Sequence, residues 1–117
     1  MAKAATLLFF FGALPRLSCK PSEINVKSTK TGVSFRGNPV WNMSVETECE
    51  CPMFGANLAC EGLERSAMLL DVSKIKQYGK EFYLEHGISK LHSNTFEYAL
   101  DEPVNCTVIS AQSATAC

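Results

Sequence analysis

Residues 40–51 constrain the fold more than any other stretch of this chain. Trp41, Met43, Val45, Thr47, Cys49 and Cys51 fall at one phase, and Asn42, Ser44, Glu46, Glu48 and Glu50 at the other. A period of two is the signature of a strand, and one apolar face with one acid-rich face describes a half-buried antiparallel strand. The same period recurs in Ile24 and Val26, in Phe96, Tyr98 and Leu100, and in Val104, Cys106 and Val108. Lys30-Thr31-Gly32 reads as a turn, Gly37-Asn38-Pro39 as a second, and Phe54-Gly55 as a hairpin tip after which Ala56, Leu58 and Cys60 carry the inward period onward. Asp101-Glu102-Pro103 ends a strand. One segment, residues 71–79, has helical spacing: Ser73 is placed to cap it, Ile75 and Tyr78 are three apart, and Gly79 is a stop. The expected fold is all-β, a small disulfide-stabilised antiparallel β-sandwich with at most one short helix.

The chain has 117 residues, enough for one domain. Its hydrophobic fraction of 46% and charged fraction of 20% suit a folded core rather than disorder. Eleven Lys and Arg against twelve Asp and Glu give a net charge of −1, which argues against nucleic acid as a partner. Six cysteines point to an oxidising compartment or to a metal.

The N-terminus favours the oxidising compartment. Lys3 precedes an unbroken mostly apolar run over residues 4–14. Eleven residues are too few to span a bilayer, which takes about 20, and suit the core of a signal peptide. Residues 1–18 are therefore expected to be a signal peptide, although Arg16 and the lack of Ala-x-Ala leave the cleavage position poorly marked. The mature chain, residues 19–117, keeps nine basic and twelve acidic side chains, a net −3. It has no second apolar run of membrane length, so no membrane insertion is expected, and the protein is expected to be secreted and monomeric.

Cys19, Cys49, Cys51, Cys60, Cys106 and Cys117 are expected to form a disulfide framework. A zinc site on Cys49, Cys51 and Cys60 with His86 or His92 fits no common ligand spacing, so no metal is expected. If Cys49 and Cys51 share a strand face they need separate partners, and a hairpin tip at Phe54-Gly55 would set Cys49 opposite Cys60. His86 and His92 read as exposed loop residues, and Asp101 and Glu102 are adjacent, so on a strand they would point apart rather than flank one bond. No phosphate loop or G-x-G-x-x-G occurs. No catalytic residue and no cofactor follow from these residues. Asn42-Met43-Ser44 and Asn105-Cys106-Thr107 are glycosylation sequons, and strand period turns both Asn42 and Asn105 outward. Glu46, Glu48 and Glu50 form an acidic row, read either as a solvated face or as a surface for a basic partner.

The order of Cys19, Thr31-Gly32, Gly37-Asn-Pro-Val-Trp41, Cys49-Glu-Cys51, Cys60-Glu-Gly62, Leu70-Asp71-Val72, Gly79, Phe96-Glu-Tyr98-Ala99-Leu100 and Cys117 resembles the plant tapetum determinant-like secreted proteins across residues 19–117. Against that pattern a cysteine is missing near Phe82 or Tyr83, Leu100 stands for Trp, and Cys106 is extra. The resemblance implies a secreted signalling ligand in the apoplast, perceived by a leucine-rich-repeat receptor kinase ectodomain and directing anther cell fate. Some members carry a β-1,3-N-acetylglucosaminyltransferase label, but no D-x-D motif occurs in this chain. The alternative expectation is a small extracellular carbohydrate-binding or cell-wall module without catalysis. Such a module usually exposes an aromatic platform, and the single Trp, Trp41, falls at an inward phase.

Overall fold

A computed structural model describes residues 19–114. Seven strands among them form two antiparallel sheets. They are β1 (Ile24–Phe35), β2 (Asn38–Thr47), β3 (Met53–Cys60), β4 (Ile75–Tyr78), β5 (Glu81–Leu84), β6 (Asn94–Ala99) and β7 (Cys106–Ser113). The three-stranded sheet has the order β1-β2-β6, and the four-stranded sheet the order β4-β5-β3-β7. Pro21–Glu23 and Leu63–Arg65 are single 3-10 turns, and no α-helix occurs among the described residues. The all-β sandwich expected from the sequence is the fold observed.

The core lies between the sheets. Trp41, Met43 and Val45 of β2 face inward with Ile24, Phe96 and Tyr98 from the strands on either side. Leu58, Phe82, Leu84 and Ile75 close it from the other sheet. Burying a side chain of this size contributes about 1.5–3 kcal/mol relative to leaving it exposed, so these residues hold the layers together. Polar groups drawn into the layer are partnered. Trp41 Nε1–H donates to the Leu100 carbonyl at 3.0 Å. Tyr98, fully buried, donates its hydroxyl to Ser28 Oγ at 2.7 Å and accepts the Val104 N–H at 3.0 Å.

Three local expectations are corrected. First, residues 71–79 are not helical. The Asp71 side chain, not Ser73, organises the segment, accepting from Ser73 N–H and Oγ. The Asp71 carbonyl accepts from Lys74 and Ile75, closing a single turn that does not continue. The chain then becomes β4, because Gly79 (φ +63°) opens a two-residue hairpin into β5 instead of ending a helix. Second, Lys30-Thr31-Gly32 is not a turn: β1 continues through it, with Lys30 paired to Trp41 and a bulge at residues 31–33 before Ser34. The turn falls later, at Arg36 and Gly37, which have φ of 52° and 82°. Third, Phe54-Gly55 is not a hairpin tip but an irregularity within β3, which runs from Met53 to Cys60 in the other sheet with its register to β7 shifting between Phe54 and Asn57. Residues 48–52 are thus the crossover that takes the chain from one layer to the other.

Candidate functional site

The crossover decides the cysteine geometry. β2 ends at Thr47, whose hydroxyl donates to the Glu23 carbonyl at 2.9 Å and accepts the Cys49 N–H at 3.1 Å. Cys49 and Cys51 are buried, but on irregular chain and not on a strand face. Cys49 is bonded to Cys19, with Cα atoms 6.3 Å apart, so the expected pairing of Cys49 with Cys60 is wrong. It fails because β2 and β3 lie in different sheets and never form the hairpin that would set them opposite. Cys60 instead faces Cys106 in the β3–β7 register and is bonded to it. Cys51 is disulfide-bonded as well, and Cys117 lies outside the described residues, as does the expected signal peptide. The sulfurs of Cys19, Cys49 and Cys51 lie within 4.8 Å of one another. That spacing would suit a metal only as thiolates, and a bonded disulfide sulfur offers no thiolate.

The acidic row is also broken by the crossover. Glu46 is on β2, where Ser44 Oγ donates to its carboxylate at 2.8 Å and Lys27 Nζ of β1 lies 3.3 Å away. The Ser44 hydrogen bond, with help from Lys27, holds the Glu46 pKa below the ordinary carboxylate range. Glu48 and Glu50 are exposed on the irregular chain beyond Thr47. The three carboxylates therefore do not form one strand face.

Asn42 sits half-buried at the middle of β2, on the solvent side of the three-stranded sheet between Thr29 and Glu97. Asn105 and Thr107 are exposed at the start of β7. His86 and His92 are exposed in the loop joining β5 to β6. Asp101 and Glu102 are exposed at the rim of a cleft of about 420 Å³ shared with Glu61, Arg65 and Asn105.

An aromatic pair escapes the sequence reading. The outer face of the four-stranded sheet carries Tyr78 and Tyr83, edge to face at 5.4 Å. Tyr83 Oη donates to Glu81 at 3.2 Å, and the carboxylate raises the phenol's pKa. Asn57 Nδ2 donates to Glu81 at 2.7 Å and to Tyr83 Oη at 3.2 Å, while its own Oδ1 is buried without a partner. Alternation of Tyr83 with Phe82 and Leu84 is the signal that could have found the pair.

No helix among the described residues is long and apolar enough to cross a membrane. Among curated proteins and among solved structures, nothing matches the chain significantly. One family model does match, described as "Tapetum determinant 1, C-terminal", over residues 20–115. That span takes in every strand of both sheets and the Cys60–Cys106 disulfide, and the chain belongs to the tapetum determinant 1 C-terminal family.

Proposed function

We propose that the chain is a secreted signalling ligand whose mature part, from Cys19, is recognised by the ectodomain of a leucine-rich-repeat receptor kinase and directs anther cell fate. The observation that carries this reading is the family match, because it coincides with the folded sandwich itself and not with a fragment of it. The disulfides fit an oxidising compartment, and Lys3 with the apolar run that follows it supports export. The domain acts by binding, without catalysis. The exposure of His86 and His92 in the loop joining β5 to β6 supports this, since acid–base residues usually work from within clefts. Glu48 and Glu50 remain solvent-facing candidates for a partner contact, and Glu46 joins them only by giving up Lys27. The test is a surface-binding measurement of the secreted, disulfide-intact chain against ectodomains of leucine-rich-repeat receptor kinases from anthers. Saturable binding to one of them is expected, and no binding across the set overturns the reading.

One observation favours a second reading, the carbohydrate-binding or cell-wall module. Trp41 is buried, but Tyr78 is 60% exposed beside Tyr83 on an open sheet face. Binding to cell-wall polysaccharides that is lost in Tyr78→Ala would favour this module over the receptor ligand.

A further inference from the structure

The β1–β2 hairpin has a charge opposite to that of the rest of the molecule. Residues 24–45 contain Lys27, Lys30 and Arg36 and no Asp or Glu, and Glu46 near the end of β2 is the one acid of the hairpin. The other described residues carry six basic and twelve acidic side chains, a net −6. Lys27 is engaged by Glu46, but Lys30 and Arg36 make no ion pair among the described residues. Lys30 Nζ lies over the Trp41 ring at 5.6 Å, and the Arg36 guanidinium over the Phe35 ring at 5.6 Å. Both cations are thus set on aromatic faces with their charge directed to solvent.

The hairpin also projects. β6 pairs with β2 over residues 40–45, and Leu100, just after it, donates its N–H to the Pro39 carbonyl at 3.3 Å, so Phe35 to Asn38 stand beyond the third strand. None of residues 29–37 is buried, and Val33 is 60% exposed. At the tip Arg36 has φ of 52°, a left-handed conformation in which Gly or Asn is far more usual.

We propose that the hairpin tip, formed by Lys30, Val33, Phe35 and Arg36, is the docking element for an acidic protein surface with an apolar depression. This deepens the ligand reading given above and rests on it. The acidic body repels an acidic partner except along the arm, so encounter is steered tip first. Val33 and the Phe35 ring provide the apolar anchor that protein interfaces use at their centre and that a polyanionic polysaccharide has no use for. A narrow projecting hairpin suits a concave partner.

The test needs no receptor, so its outcome is separable from that of the receptor measurement. The secreted chain is passed over immobilised poly-L-glutamate, a random Glu/Tyr copolymer polypeptide and polygalacturonate. Wild type should bind the Glu/Tyr copolymer most tightly, with strong salt dependence. Lys30→Glu with Arg36→Glu should weaken association about tenfold or more and flatten the salt response. Val33→Ser should abolish the preference for the copolymer over poly-L-glutamate. Lys80→Glu with Lys90→Glu, the charge-matched control on exposed residues elsewhere, should stay near wild type. Circular dichroism confirms folding, and Arg36→Asn removes the charge while suiting the turn. The proposal is overturned if the control pair loses as much binding as the tip pair, or if polygalacturonate is bound more tightly than the copolymer. It is equally overturned if ultracentrifugation shows tip-dependent self-association, which would make a second copy of this chain the occupant.

Discussion

Cys60 and Cys106 stand opposite one another in the register of β3 and β7, with Cα atoms 4.2 Å apart, and are disulfide-bonded. Cys106 also reaches across the sandwich, its Sγ 3.8 Å from Met43 Sδ. The cysteine that is extra relative to the family's sequence pattern is therefore structural. Cys106→Ser should cost about 2–5 kcal/mol, a large share of a total of about 5–15 kcal/mol. Secretion should fall and Cys60 should become a titratable thiol, while the Asn105-x-Thr107 sequon stays intact. Peptide mapping under non-reducing conditions checks the pairing, and wild-type protein in which Cys106 reacts as a free thiol would refute it.

Tyr98 offers an independent test of the sandwich interior. Its hydroxyl serves Ser28 and the Val104 N–H at once, from a fully buried ring. Tyr98→Phe keeps the ring and leaves the Val104 N–H without its acceptor. Losing a buried partner in this way costs about 1–3 kcal/mol. The urea midpoint should drop with the slope unchanged. A midpoint equal to wild type would mean that water or another group replaces the hydroxyl.

What the sequence reveals and what it conceals separate along physical lines. Trp41, Met43 and Val45 are readable as core because β2 is central in its sheet, with strands on both edges, so period two maps directly onto burial. The alternation continues through Cys49 and Cys51 after the strand has ended at Thr47, and there it no longer reports a face. That is why the cysteine partners are illegible in the sequence: pairing depends on which sheet a strand joins, and a crossover leaves no periodic trace. Ala99 falls at an outward phase yet is buried, because residues 66 and 67 cover the β6 edge, with Ser66 Oγ accepting the Ala99 N–H at 3.0 Å. The β4–β5 hairpin is hidden for another reason. Its strands are four residues each, and Ile75 and Tyr78 are spaced as readily for a helix.

Gly79 tests that hairpin directly. Its φ of +63° is the first central position of a two-residue turn. No atom lies within 4 Å of the point a side-chain methyl would occupy, so backbone strain alone opposes a substitution. Gly79→Ala should destabilise by roughly 1–2 kcal/mol. A thermal midpoint unchanged or raised in the variant would show that residue 79 does not hold the left-handed conformation of the turn.

Acid should weaken the β1–β2 pairing through Glu46. Ser44 Oγ and Lys27 stabilise its charged form in the folded state and depress its pKa. In the unfolded chain the same carboxyl titrates near its ordinary value of about 4.3. A depressed folded pKa means the contribution is complete above the unfolded value and is lost as pH falls through the folded one. Asp71, held low by the Ser73 hydroxyl and N–H, adds in the same direction. The thermal midpoint should therefore decline on the acid side of about pH 4.3. Glu46→Gln should make that decline shallower and leave the midpoint near pH 7 almost unchanged, since exposed pairs contribute little there. Superimposable acid limbs for wild type and Glu46→Gln would show that the Ser44 and Lys27 contacts do not hold the carboxylate in solution.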